Sequence, residues 1–425
     1  MFVKQIQIES LGNSSYLVGS RETGACAVVD PVRDVDIYIR EAEALGVRIL
    51  YSLETHVHND FVSGSRELVA RTGATVCASG AGGLVFVHRP LRPGDSIDVG
   101  TVKFDVIATP GHTPEHISFL ATDTAEGPAS SALFSGGALL VGGIARSDLL
   151  GKDLAPFLGR WFFRTIRREL QGLDDSVTVY PTHGAGSFCL AAPSGSGANT
   201  TTIGLERATN PYFQAASETE FLELATADLP SIPSYYSRMA GINVRGPRIL
   251  GGLPHLFPMA PREVWVRTQR NSIALDTRIP EEFTAAHIPN SYSVPFGGSA
   301  GTWVGWLVEE GRPLVVVGDE PAAREEMVRQ LIRIGYDDLE GYLDVRFDDE
   351  WRLGHVPDAI HLELGRLPED AASLSRDRSY ATVCAAGVRA STAASVLERQ
   401  GFDDVTLMLG GTDDWRDVGY PLESP

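Results

Sequence analysis

Thr55-His56-Val57-His58-Asn59-Asp60 carries the densest chemistry in this chain. It follows the apolar run RILYSLE and precedes SRELVARTG, so it falls where a strand runs out and a helix begins. Imidazoles two residues apart can converge on one ion where the backbone turns at a strand end, and a carboxylate two residues further on reaches an adjacent position. Taken alone, the pattern favours a metal, with capping and polar loop contacts as the lesser alternative. His112 in TPGHTPEHISF and His183 in YPTHGAGS weigh against that simpler account, because each sits in a Gly/Pro turn after a strand. Four histidines and an aspartate at strand ends are the architecture of a metal site.

A second constellation lies in SYATVCAAGVRASTAASVLERQG, which reads as strand, loop and helix. Cys384 opens the loop and Arg389 follows five residues on. A thiol there faces the helix N-terminus and the loop N–H groups, both of which favour thiolate. The arginine adds charge and a fork for an anionic substrate. Cys26 and Cys77 sit in apolar strands and read as core. Cys189 closely follows the His183 loop, so a place on the substrate side stands beside a core one. With no CxxC pair, structural disulfides and cysteine-rich zinc sites are not expected, and the compartment reads as reducing.

The elements that must position these groups divide the chain. At 425 residues, and about 100 to 200 per domain, two to four domains are expected. A content of 43% hydrophobic and 21% charged residues excludes a disordered or fibrous protein. Lys+Arg 36 against Asp+Glu 55 leaves a net charge of −19, which argues against nucleic acid as a partner. No apolar run is long enough to span a membrane, and MFVKQIQIESLGNSSYL lacks the features of a secretory signal, so the expectation is a soluble, cytoplasmic protein with no membrane partner. Residues 1–255 alternate strands and helices, with polar tips at strand ends. AAPSGSGANTTTIG is the most loop-like stretch, and the Pro/Gly-rich passage ending near 255–261 marks a boundary.

Beyond it lies an internal repeat. Asp276-Thr-Arg278, Glu282-Phe283 and His287-Ile-Pro289 match Asp344-Val-Arg346, Glu350-Trp351 and His355-Val-Pro357 at the same internal spacing. RQLIRIGYDDL likewise matches LERQGFDDV, so two copies of one α/β unit are expected over 262–343 and 344–425. The first copy runs straight into the second and reads as shortened. Both histidines read as turn and packing residues, and the Asp/Arg pairs as internal ion pairs.

The histidine motifs, in this order, resemble the metallo-β-lactamase superfamily over residues 1–255. The resemblance implies an αββα sandwich with metal at the edge of its two sheets. By it, His56, His58 and His112 form the first metal position, and Asp60 and His183 belong to the second. THVHNDFVSG, TPGHTPEHISF, GGIARSDLLG and PTHGAGSFC, followed by TTIGLERATNP, resemble the persulfide dioxygenase branch related to glyoxalase II. That implies one Fe(II) per front domain, with Zn(II) as the alternative, and glutathione persulfide or another low-molecular-weight persulfide with O₂ as substrates. Two departures stand out. Phe61 follows Asp60 where many members carry a histidine, and Gly137 in LFSGGALLVGG stands where the family has a metal-binding aspartate. A single metal, held on His56, His58 and His112, is the expectation; Asp60 as the carboxylate ligand, a hydrolytic reading with zinc, and a non-catalytic front domain with sulfur transfer at Cys384 only stay open.

CAAGVRA, with the DxR, E[FW] and H[IV]P motifs, resembles the rhodanese sulfurtransferases. The resemblance implies that Cys384 carries a persulfide, that Arg389 contacts an anion and that thiosulfate is a sulfur donor. In the first copy Gly318 stands opposite Cys384 and Ala323 opposite Arg389, so that copy has a scaffold or interface role. The expected fold class is therefore α/β: an αββα metallo-β-lactamase sandwich, then two rhodanese-like α/β repeats with parallel sheets. A persulfide-oxidising unit fused to a sulfurtransferase is the expected enzyme, with homo-oligomerisation left open.

Overall fold

The structure is a computed structural model. It describes residues 1–127, 131–191, 198–227, 229–285, 287–318, 320–343, 367, 371–376, 378–383, 388–408 and 412. Two compact units divide the chain at Leu343.

Two six-stranded sheets open the first unit. One has the order β1 (Phe2–Ile8), β2 (Asn13–Ser20), β3 (Ala25–Val29), β4 (Arg48–Leu53), β5 (Thr75–Ser79) and β6 (Arg89–Leu91), antiparallel to β3 and parallel after it. The other holds β7 (Ser96–Val99), β8 (Val102–Ala108), β9 (Ile117–Asp123), β10 (Ser131–Gly136), β11 (Thr178–Pro181) and β12 (Thr201–Thr202), with only β10 and β11 parallel. Alternation along the strands explains the layering. Tyr16, Val18, Ala27 and Val29 meet Phe104, Phe119 and Phe134 between the sheets. Leu17, Cys26 and Val28 point the other way, into a core shared with Tyr38 and Ala42 of α1 (Asp36–Leu45) and Leu68 of α2 (Ser65–Thr72).

The outer face of the second sheet is covered from the other side. Leu133 and Val179 pack on α3 (Ala155–Thr165), α4 (Ile203–Thr209), α5 (Pro211–Gln214) and α6 (Glu218–Thr226) through Phe162, Ile203, Phe213 and Phe221. The result is the αββα sandwich. Both sheets end at one edge in the polar tips singled out in the sequence, and α7 (Tyr236–Arg245) lies beneath that edge.

Residues 261–343 form a smaller layer with α8 (Pro261–Arg270), β13 (Ile273–Asp276), α9 (Pro280–Ala285), β14 (Tyr292–Ser293), α10 (Ala300–Leu307), β15 (Leu314–Val317), α11 (Pro321–Arg333) and β16 (Leu339–Leu343). Its sheet, ordered β14-β13-β15-β16, is parallel throughout, and β15 reads LVVV because it is buried on both faces. The stretch expected as a domain of its own shares one core with the sandwich: Leu275, Val316 and Leu331 join Leu17, Val28 and Phe61. Arg333 donates to Asp34 at 2.6 and 2.8 Å, and Arg329 pairs with Asp36 at 2.8 Å. Removing one partner of a buried pair of this kind costs about 3 to 5 kcal/mol.

Arg278 pairs with Asp276 at 2.7 Å, as expected of the DxR motif. His287 is exposed, stacks on Phe283 and is hydrogen-bonded with the Phe283 carbonyl at 2.8 Å, so it serves the turn. Gly318 lies so close to Thr277 that an added Cβ would meet Oγ1 at 2.5 Å.

In the second unit, β17 (Tyr380–Thr382) pairs in parallel with β18 (Val405–Leu407) across α12 (Val388–Arg399), around Leu367, Ala371, Leu397 and Phe402. Strand and helix fall where SYATVCAAGVRASTAASVLERQG put them, and the loop between them lies outside the described residues. Arg389 lies in the first turn of α12, while Cys384, Asp344, Arg346 and His355 lie outside the described residues. Among the described residues, no helix is long and apolar enough to cross a membrane.

Candidate metal centre

His56, His58 and Asp60 leave β4 on one loop, His112 leaves β8, and His183 follows β11; all five side chains are buried. Ligand atoms of His56, His58 and His183 lie within 4.8 Å of one another. His112 joins the cluster from the side, its ring centroid 4.9 Å from that of His56 and 5.3 Å from that of His183. Asp60 sits behind His183, with Oδ2 3.3 Å from its Nδ1 and accepting from Asn13 Nδ2 at 2.6 Å.

Each of three rings is tied from behind through Nδ1. His112 Nδ1 donates to the Arg146 carbonyl at 2.6 Å, while His56 Nδ1 meets Thr55 Oγ1 at 2.8 Å and His183 Nδ1 meets Asn13 Oδ1 at 3.2 Å. Outer partners of this kind fix ring orientation and leave the other nitrogen for an ion. Nε2 of His56 and Nε2 of His183 then face each other at 3.4 Å, and His112 Nε2, His58 Nδ1 and Asp60 Oδ1 are buried without a partner. Buried polar atoms are otherwise almost always satisfied, so this orphaned set fits a divalent cation. The donor chemistry is compatible with iron or zinc alike.

Electrostatics follow the same geometry. Burial, reinforced by the neighbouring imidazoles, holds His56 well below the ordinary histidine range and pulls His112 down to about 3, so both rings present lone pairs. His58 differs. Burial pulls it down too, but Asp30 and Glu54, at 3.3 and 3.2 Å from Nε2, outweigh that and carry it to about 10. Burial raises the Asp60 carboxyl, but His183 outweighs it and the group stays below the usual carboxylate range.

Sequence reasoning missed several supporting residues. Asp30 follows β3 with φ +48°, a left-handed backbone that aims its carboxylate under the motif, where it accepts from Thr55 N at 2.8 Å, from Thr55 Oγ1 at 2.7 Å and from Thr182 Oγ1. Glu54 accepts from Ser63 and Ser65. The signal for both was present as acids closing apolar strands, in CAVVD and YSLE. His116 stacks on His56 at 4.8 Å and is saturated, with Thr109 Oγ1 at 2.8 Å on Nδ1 and Gly137 N–H at 2.9 Å on Nε2. Asn243 of α7 clamps the loop by donating to the His58 and Phe61 carbonyls at 2.9 and 2.8 Å and accepting from Ser63 N–H at 2.9 Å.

Gly137 follows β10 and faces the cluster without a ligating atom. A Cβ there would lie 2.6 Å from Cδ2 of His112, so the imidazole occupies the space in which a side chain would begin. A narrow cleft borders His56 and His58, lined also by Val57, Leu84, Phe86, Glu115 and Asn243.

The metallo-β-lactamase superfamily model matches residues 9–198 and the rhodanese-like domain model residues 336–417. Hydroxyacylglutathione hydrolase of Rhodospirillum rubrum is 38% identical over 146 residues, which are 34% of this chain and 54% of that protein. The mitochondrial persulfide dioxygenase ETHE1 of Homo sapiens is 29% identical over 218 residues, 49% of this chain and 74% of that one. The crystal structure of a metallo-beta-lactamase from Staphylococcus aureus superposes with a TM-score of 0.71 at 31% identity, covering 81% of this chain and 98% of that chain. That coverage is more than residues 1–255 alone could supply. With its sandwich, its histidines and these relatives, the chain belongs to the metallo-β-lactamase superfamily and carries a rhodanese-like domain behind that fold.

Proposed function

We propose that the front sandwich is a persulfide dioxygenase-like enzyme that oxidises the terminal sulfur of glutathione persulfide, or of another low-molecular-weight persulfide, and that the rhodanese-like domain transfers sulfur at Cys384. The observation that carries this reading is a buried set of imidazoles with orphaned nitrogens, in a chain that also holds a rhodanese-like domain. One persulfide, one O₂ and one water balance to one thiol, one sulfite and two protons. Iron held on His56, His58 and His112, with His183 and Asp60 beside them, would supply open positions where thiolate sulfur and O₂ meet.

The chain's own groups do the rest. Thr55, Asn13 and the Arg146 carbonyl hold protons or lone pairs at Nδ1 and so orient each ring. Val57, Leu84 and Phe86 give the cleft beside His58 an apolar wall that excludes water. In this reading residues 262–343 are a first, cysteine-free rhodanese-like repeat serving as scaffold, and 344–425 are the repeat that carries sulfur, with Arg389 contacting the anionic donor. Tethering the sulfur carrier to the oxidising site raises the local persulfide concentration.

Gly137 favours a second reading. Without a carboxylate after β10, zinc and hydrolysis of S-acyl glutathione, the glyoxalase II type of reaction, suit the imidazole set as well. Oxygen uptake by iron-supplied full-length protein given glutathione persulfide separates the two, with His112→Ala as control. Uptake abolished in the control supports the dioxygenase. Absence of uptake from metal-bearing protein that turns over S-acyl glutathione supports the hydrolase.

A further inference from the structure

We propose that Cys189 supplies the anionic ligand that Gly137 cannot, forming with His112 and His183 a thiolate-containing metal position. This rests on the reading that the front site holds a metal, but not on which reaction it runs. Ligand atoms of His112, His183 and Cys189 lie within 4.8 Å of one another, and all three residues are buried. His112 Nε2 has no partner although the ring is only 1% exposed. A tetrahedral zinc sets nitrogen and sulfur ligands about 3.5 Å apart, so closing the set needs at most about 1.3 Å of movement shared among three side chains.

The backbone couples the two partners. Arg146 N–H donates to the Cys189 carbonyl at 2.8 Å while the Arg146 carbonyl accepts from His112 Nδ1 at 2.6 Å, so one peptide segment registers thiol and imidazole together. Arg146 is itself fixed, pairing with Asp148 at 2.6 Å and donating to the Pro230 carbonyl at 2.7 Å. Cys189 Sγ also lies 3.8 Å from Tyr236 Oη, with the Ser187 hydroxyl close by.

Charge supplies the reason. A buried divalent ion is held more firmly by each anion that reaches it, and where Asp60 faces the cluster beside His183, a thiolate at Cys189 brings a second anion alongside His112. In this chain the His112 ring fills the space at Gly137, whereas Cys189 approaches the same ring from the loop after His183. As the metal–sulfur bond forms, the Sγ–H bond breaks and its proton leaves to solvent. A soft ligand also biases the position toward zinc or iron and away from magnesium or calcium.

Cobalt(II) is the probe, added to the full chain carrying Cys384→Ser so that the other loop thiol does not contribute. The expected result is visible d–d bands together with a near-ultraviolet sulfur-to-cobalt charge-transfer band. Adding Cys189→Ser should remove the near-ultraviolet band, keep the visible ones and weaken cobalt binding at least tenfold; Tyr236→Phe should leave the band in place. Visible bands without the charge-transfer band, or a band that survives Cys189→Ser, overturn the proposal. Should Cys189→Ser fail to fold, X-ray absorption of the zinc-loaded parent decides: a sulfur neighbour at about 2.3 Å is expected, and a shell of nitrogen and oxygen alone overturns it. A parent that takes up no cobalt overturns the metal reading itself, and this inference with it.

Discussion

Asn243→Ala should loosen the metal loop without touching a ligand. The side chain serves three backbone groups of residues 58–63, and all three bonds are between 2.8 and 2.9 Å. Truncation strands the carbonyls of His58 and Phe61 and the N–H of Ser63 in a buried setting. Each stranded group costs about 1 to 3 kcal/mol, so even the low end for three gives about 3 kcal/mol against the closed loop. At about 1.4 kcal/mol per decade that is roughly a hundredfold rise in loop opening. Hydrogen exchange read by mass spectrometry on a peptide covering 56–64 measures it directly, and zinc affinity should fall in the same variant. Asn243→Asp should do no better, because its carboxylate would face the same two carbonyls. Protection of that peptide within threefold of the parent would refute the clamp.

Other consequences follow from the same contacts. Arg333→Met removes the two closest bonds to buried Asp34, leaving Arg329 at 3.2 Å, and should cost about 3 kcal/mol in the first unit; a thermal melt unchanged from the parent would count against the shared core. Gly137→Asp forces a Cβ to within 2.6 Å of the His112 ring and should destabilise by about 1 to 3 kcal/mol, so an unshifted melting temperature would show that the ring yields freely. Cys384→Ser should abolish sulfur transfer from thiosulfate to cyanide while leaving the metal content of the front site unchanged; residual transfer would move the sulfur carrier elsewhere.

Much of the site was legible because its chemistry is local in sequence. The HxHxD run, the GHT turn and the turn at His183 each sit at a strand end, and the alternation of CAVV and RILYSL reads directly as sheet faces. The strand before Cys384 and the helix after it were equally plain. Long-range contacts were not. Nothing near Asn243 marks a residue whose partners lie 185 and 182 positions away. RQLIRIG looks like an amphipathic helix with solvated arginines, yet Arg329 and Arg333 are buried against acids some 300 residues earlier, and so residues 262–343 join the front core instead of standing apart. His116 was inseparable in sequence from a ligand; only its saturated nitrogens identify it as a supporting ring.

The most direct test is metal analysis of the full-length protein as purified, comparing the parent with His56→Ala and His112→Ala for iron and zinc. About one equivalent in the parent, falling at least tenfold in both variants, is the predicted result. Metal content that is unchanged by both substitutions, or a folded parent that holds no metal after supply of either ion, would contradict the account.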